Sequence, residues 1–334
     1  MKRSTYKLYL LLLIGLLTFN IPVWAQEEAS REFEDTYKVN SDEKLSLHNK
    51  FGTVFIETSA TNSIIVKVEI KAWAKNEEKA QSILDMIKIK KDHTGGVIFY
   101  ETSPPDNNWS NNNKGFEINY YVKMPKGNPL DVSNKYGNVE LGDFNGKLEL
   151  DVAYGQLRAQ RIESPIADIK LSYSGGEIES IKRGDMRTRY CSTIKIEEVG
   201  DLQMDDKYGG IAIERAGQVR GSSSYASLSI GNLQTLLELE SKYGSVKVDD
   251  THKSFSGIMV DSSYGSVKLG FEDSSNFDFE VHTRYGGFSS KLDGVDIYKE
   301  ITRNTSGDYE GRKGSEGSGK KVTVYANYGS VTFR

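Results

Sequence analysis

Apolar residues in this chain recur with a period of two, and the alternation restarts at a repeated landmark, an aromatic residue followed by glycine. Counting back from the aromatic, apolar side chains occupy the sixth and fourth positions, as in Leu130 and Val132, Leu148 and Leu150, Leu237 and Leu239, and Val322 and Val324. Counting forward, they occupy the third and fifth, as in Val139 and Leu141, Val246 and Val248, and Val331 and Phe333. A period of two marks a strand with one buried face. The parity changes at the landmark: Leu239, Ser241 and Tyr243 share one parity, Val246 and Val248 the other. A strand cannot exchange its buried face without a kink. The step therefore predicts a corner, with its glycine at positive φ, where no Cβ opposes the turn.

Eleven landmarks fit: Phe51, Tyr136, Tyr154, Tyr173, Tyr190, Tyr208, Tyr225, Tyr243, Tyr264, Tyr285 and Tyr328. The corner glycines are Gly52, Gly137, Gly155, Gly209, Gly244, Gly265, Gly286 and Gly329, while Ser174, Cys191 and Ala226 stand in the other three places. After Tyr225 the forward register holds in Leu228 and Ile230; after Tyr190 it slips by one, to Ile194 and Ile196. Corners without glycine are expected to be wider or more strained. From Tyr136 to Tyr285 the intervals run from 17 to 21 residues, and such a repeat signals stacked units. Two short strands and two turns fill each unit, and stacking at about 4.8 Å per coil gives a body about 43 Å long. The expected fold is all-β: a parallel, β-helix-like solenoid with about two short strands per coil. An antiparallel meander would also satisfy the parity, but its two-residue turns select Asn-Gly or Asp-Gly rather than Tyr-Gly.

The spacing breaks between Phe51 and Tyr136. Strands are expected there at residues 44–48, 53–57, 64–74, 97–101 and 116–124. Between them Asn76 can cap a helix with Glu77 and Glu78 in its first turn and Ala80, Ile83, Leu84 and Ile87 on one face. Residues 26–128 thus read as a β-rich N-terminal capping module with one short helix, and residues 129–334 as the solenoid. A cap keeps exposed strand edges from pairing with other chains. Residues 1–25, MKRSTYKLYLLLLIGLLTFNIPVWA, have the basic start, short apolar run and small-residue end of a signal peptide. The run is short of the roughly 20 residues a membrane span needs. The expectation is export to the periplasm or cell surface, with no membrane span after cleavage.

Cleavage would leave 40 basic residues against 47 acidic ones, a balance that speaks against nucleic acid as partner. Cys191 is the single cysteine, so no intramolecular disulfide can form. The tail Gly314–Lys321 approaches a phosphate loop, but Lys321 stands where the magnesium-binding hydroxyl belongs, and a strand follows rather than a helix. His48, His93, His252 and His282 have no metal-ligand spacing. The pairs Asp205-Asp206 and Asp249-Asp250 invite a carboxylate mechanism, which needs two groups held across a groove, yet Asp beside a turn more commonly serves local hydrogen bonding. No residue is assigned as catalytic, cofactor-binding or metal-binding. Trp109, in the polar loop Ser103–Gly115, is a candidate contact for a sugar ring, set against a ring tucked onto the neighbouring surface. Directly before the aromatic, six of eleven residues are basic: Lys50, Lys135, Arg189, Lys207, Lys242 and Arg284. They form either a broken ridge for anionic glycans or a solvated face balanced by Glu149, Asp151, Glu238 and Glu240; the second reading is preferred.

The stretch INYYVKMPKGNPLDVSNKYGNVEL (Ile118–Leu141), the serial Tyr-Gly-x-Val corners and the ending GSEGSGKKVTVYANYGSVTF resemble the bacterial adhesin-like family of the DUF4097, or toast-rack, type. The resemblance runs from about Lys44 to Arg334 and implies an exported β-solenoid. Its corner motif says little about activity, and no clear corner falls in the 43-residue interval from Tyr285 to Tyr328. The combined expectation is an exported, non-enzymatic β-solenoid, a structural or adhesion-type surface of the bacterial envelope. Its partner would be a glycan or another envelope protein, without cofactor. The alternatives are a carbohydrate-active β-helix enzyme and an envelope sensory module.

Overall fold

The structure, a computed structural model, describes residues 26–105 and 114–334. The leader 1–25 and Trp109 lie outside the described residues. The N-terminal elements are β1 (Glu27–Lys38), β2 (Lys44–Lys50), β3 (Val54–Ser59), β4 (Ser63–Ala74), α1 (Glu77–Met86), β5 (Lys88–Thr94), β6 (Val97–Ser103) and β7 (Gly115–Pro125). The coils follow as β8 (Leu130–Lys135), β9 (Val139–Leu141), β10 (Leu148–Ala153), β11 (Gln156–Ile162), β12 (Ala167–Ser172), β13 (Gly175–Arg189), β14 (Ile194–Lys207), β15 (Gly210–Ser224) and β16 (Ser227–Lys242). The C-terminal part holds β17 (Val246–Thr251), β18 (Gly257–Ser263), β19 (Val267–Leu269), β20 (Phe277–Arg284), β21 (Phe288–Ser290), β22 (Val295–Arg303), β23 (Ser306–Lys313), β24 (Lys321–Asn327) and β25 (Val331–Phe333).

These strands belong to one long, mostly parallel sheet that is not closed. Each corner folds it, so strands entering corners stack in one ladder and strands leaving them in a second. In the first, β2, β8, β10 and β12 pair in parallel and in register. In the second, β3, β9 and β11 do the same. The strands β13 to β16 each run from one corner to the next and so take part in both ladders. Parallel pairing rules out the meander. The core lies between the ladders and is built by the alternation the sequence displays: Leu237, Val248, Ile258 and Val267 are all essentially inaccessible.

The Cys191 corner is wider, as expected: Ile194 aligns with Ile211 although it lies one residue farther from its tyrosine. The corners at Ser174 and Ala226 keep the ordinary length, since Leu157 aligns with Gly176 and Ile211 with Leu228.

Both ends of the stack switch to antiparallel pairing. At the N-terminal end β7 pairs with β3 in parallel and with β4 antiparallel, and β1 adds to β4. The helix α1 packs on β4 and β1, with Ala80, Ile83 and Leu84 buried and the Asn76 Oδ1 accepting the Lys79 N–H at 3.1 Å. The strands β1 and β5, which the alternation did not disclose, are charged edges of these two ladders. At the C-terminal end the order in space departs from the order in sequence: β24 inserts between β18 and β20, and β25 between β19 and β21. The long gap before Tyr328 is filled by the hairpin β22–β23, which pairs antiparallel with β20 and finishes the first ladder.

Candidate functional site

All eleven landmark aromatics have positive φ, between 52° and 64°, and they are the only non-glycine residues to do so among the described residues. This corrects the expectation from sequence. The left-handed residue is the aromatic, and of the corner glycines only Gly52 has positive φ. Glycine is required for a different reason, the close approach of adjacent coils. A Cβ on Gly244 would lie 1.8 Å from the Ala226 carbonyl oxygen, and one on Gly265 would lie 1.8 Å from that of Gly244. No side chain fits at such separations. At Gly209, which follows the wider Cys191 corner, the same approach opens to 2.8 Å.

Two residues before the aromatic, a buried polar column closes the turn. The Ser223 hydroxyl donates to the Ala226 carbonyl at 2.7 Å, and Ser241 and Ser262 donate to Gly244 and Gly265 at 3.4 and 3.3 Å. Asn134 Nδ2 donates to the carbonyls of Gly52 and Asn138 at 2.9 and 2.7 Å. Val152, Leu171 and Ala326 interrupt the column, and at the first two the following coil supplies the polar atom. The Ser174 hydroxyl donates to the Val152 carbonyl at 3.1 Å, and the Cys191 thiol lies 3.4 Å from that of Leu171. Two of the three glycine replacements thus have a hydrogen-bonding role. Asp206 is the misfit of the column: 1% exposed, it accepts the Thr188 hydroxyl at Oδ1, has no partner at Oδ2, and its pKa is pushed up by burial.

Positive φ turns the rings outward, where they stack in one unbroken ladder. From Phe51 through Tyr136, Tyr154, Tyr173, Tyr190, Tyr208, Tyr225, Tyr243, Tyr264 and Tyr328 to Tyr285, successive centroids are 4.6–5.0 Å apart with planes within 21°. Tyr328 sits between Tyr264 and Tyr285, following the inserted strands rather than the sequence. The tyrosines are 44–52% exposed. They form a strip on the surface rather than closing the core.

The Toastrack DUF4097 family model matches residues 43–334. This chain belongs to that family. Solved structures similar to it include one described as a "putative adhesin" from Parabacteroides distasonis, 9% identical over 91% of this chain and 97% of that one, with a TM-score of 0.37. Another "putative adhesin", from Bacteroides fragilis, is 12% identical over 91% and 97% of the two chains, with a TM-score of 0.30. A "putative cell adhesion protein" from Clostridium sporogenes is 12% identical over 91% and 99%, with a TM-score of 0.19. No curated protein matches the chain.

The other candidates are dispersed through this Toastrack protein. His93 faces Glu43 at 3.1 Å, His282 faces Asp308 at 2.9 Å, His252 contacts Ser254, and His48 meets Phe99 edge-on. Among the described residues no three His, Cys, Asp or Glu side chains are grouped to hold a metal ion. The aspartate pairs split between roles. Asp205 is outside, bound by Arg189 at 2.5 Å, while Asp206 is inside; Asp249 is held by Lys247 and Arg334, and Asp250 accepts from Asn232. Lys320 and Lys321 of the glycine loop are engaged by the Lys253 carbonyl and by Glu280. Burial raises the pKa of the Cys191 thiol, the opposite of what a nucleophile needs.

A shallow groove of about 1300 Å³ runs along the outer face of the second ladder, bordered by Glu140, Glu177, Glu179, Glu197 and Glu214. Those carboxylates project from one sheet, and Arg158 and Lys195 pair with Glu140 and Glu177 at 3.5 and 3.4 Å. Among the described residues no helix is long and apolar enough to cross a membrane.

Proposed function

We propose that this protein is an exported, non-enzymatic surface protein of the bacterial envelope that makes adhesion-type contacts through its aromatic ladder. The ladder carries the reading. An unbroken strip of half-exposed rings puts apolar surface in water at every coil, and extended exposed apolar patches mark interaction surfaces. Tyrosine suits the task because it combines a rigid apolar body with a polar tip. Export rests on the signal-like sequence of residues 1–25. The division into leader, capping module to residue 128 and solenoid from 129 belongs to the same proposal, with the parallel stack reaching back to Phe51 inside the module.

The test is glycan-array binding by the purified protein and by a variant with Tyr208, Tyr225 and Tyr243 changed to Asn. Asparagine tolerates the left-handed backbone, so the rings are removed without forcing the corners. Binding by the parent, lost in the variant and without turnover of the bound glycan, is the expected result. Retention of full binding in the variant would overturn the reading. The groove supports a second reading as a carbohydrate-active enzyme. Release of shortened oligosaccharides from a polysaccharide panel, abolished by Glu179→Gln or Glu197→Gln, would favour it.

A further inference from the structure

The ladder is one column of a strip whose chemistry is uneven. On one side lie the residues directly before each aromatic, six of them cations; on the other lie those two positions after it, among them Asn138, Ser192, Ser227, Ser245, Ser266 and Ser330. Neither flanking column contains a carboxylate at any of its eleven levels, in a chain whose net charge is −4. Two of the four acidic residues expected to balance the cations pair elsewhere. Glu149 pairs with Lys147 at 2.8 Å and Glu238 with Arg220 at 3.1 Å. Of the six cations, Arg189 and Lys242 are held by Asp205 and Glu240, both at 2.5 Å. Lys50, Lys135, Lys207 and Arg284 make no ion pair among the described residues, and the Lys135 ammonium lies over the rings of Tyr136 and Tyr154 at 5.0 and 5.6 Å. The strip therefore carries unpaired cations at the Phe51, Tyr136, Tyr208 and Tyr285 levels, and no carboxylate in either flanking column, on a chain that is acidic overall.

The rings add to this polarity. Their negative faces are covered by one another, so solvent meets their positive edges and phenol hydroxyls. Such a surface attracts anions and oxygen lone pairs along a line. A base would have to stack on a ring face, which the ladder does not offer, so single-stranded nucleic acid is disfavoured. An extended peptide advances about 3.3 Å per residue and drifts out of step with sites 4.6–5.0 Å apart, whereas a pyranose unit advances its chain by close to the strand spacing.

We propose that the ladder binds a linear acidic polysaccharide laid along the solenoid axis, its carboxylates or sulfates against Lys50, Lys135, Lys207 and Arg284 and its hydroxyls against the phenols and the serine column. This inference rests on the adhesion reading and names its ligand class. The experiment measures binding of polygalacturonate, neutral dextran and oligothymidylate to the purified protein at low and high salt. It is repeated with Lys50→Ser, Lys135→Ser, Lys207→Ser and Arg284→Ser combined. Serine already occupies the same column at Ser172, Ser224 and Ser263, so the fold tolerates it. Expected are salt-sensitive binding to polygalacturonate, none to dextran, and affinity weakened at least about tenfold in the serine variant. Equal affinity of parent and serine variant, or preference for oligothymidylate, would overturn the inference. Salt-insensitive binding to dextran that the tyrosine-to-asparagine variant loses would overturn it too, while leaving the adhesion reading standing. Binding to nothing on the glycan array or in this set would end both.

Discussion

Tyr225 carries the tension that defines the corner: its backbone is left-handed at φ 54°, and its ring stacks on Tyr208 and Tyr243 at 5.0 and 4.6 Å. The conformation costs an L-residue about 1–2 kcal/mol, and each stacked pair returns about 0.5–1.5 kcal/mol. The two effects are comparable, which explains why an aromatic can stand where glycine or asparagine would be easier. Tyr225→Ala should lose about 1–3 kcal/mol in urea unfolding, because the strain remains and the ring is gone. Tyr225→Gly, which relieves the strain, should be the more stable of the two by about 0.5–1 kcal/mol. The reverse order would contradict this account of the corner. Gly244→Ala should cost more than either, since its Cβ would meet the Ala226 carbonyl oxygen at 1.8 Å. Sequence located the corner and its small residue but exchanged their roles. Positive φ and close approach both call for glycine, and only the neighbouring coil's carbonyl distinguishes them.

Asp206 extends the residue argument to pH. Burial raises its folded pKa above the unfolded value, so its stabilising contribution is full below the unfolded pKa, near 3.8, and is lost as pH rises through the folded one. Asp206→Asn supplies the uncharged donor that Asn134 provides elsewhere in the column. Its advantage in unfolding free energy should be small at the acid end and grow as pH rises toward neutrality. A flat difference across the acid range would show that Asp206 does not titrate as described.

Among the elements, the repeat made the strands legible because each presents one apolar face every second residue. The edges β1 and β5 escaped because charged residues dominate them, as suits strands whose outer side must not recruit partners. The insertion of β24 and β25 also escaped. Every corner has the same complementarity to every other, so the repeat encodes that coils stack but not which pair stacks with which. The hairpin β22–β23 decides it by carrying the chain out and back, leaving a place one coil thick. Deleting residues 321–334 would empty that place and expose facing edges of β18 and β20. The truncated protein should aggregate or melt well below the parent, as followed by light scattering and circular dichroism. A soluble product with the parent melting temperature would mean that the inserted coil is dispensable.

For the molecule as a whole, each coil touches only its neighbours, so stability accumulates along one axis and length is adjustable. The same repetition that packs the core sets the phenols in file. The surface strip is thus a by-product of folding that selection can charge, and the absence of carboxylates beside it is where sequence carried more than was read from it. The expectation of a balanced face weighed acidic residues near in sequence; the structure places two of the four on other cations. The central claim is that the aromatic-small step is a corner joining interchangeable coils. Its most direct test is excision of one of them, Tyr225–Lys242, followed by circular dichroism and urea unfolding. The account predicts a shorter β protein that remains soluble and unfolds in one cooperative transition, because Ser224 would lead into Tyr243 as it now leads into Tyr225. An unfolded or aggregated product, alongside a Gly244→Ala variant as stable as the parent, would contradict it.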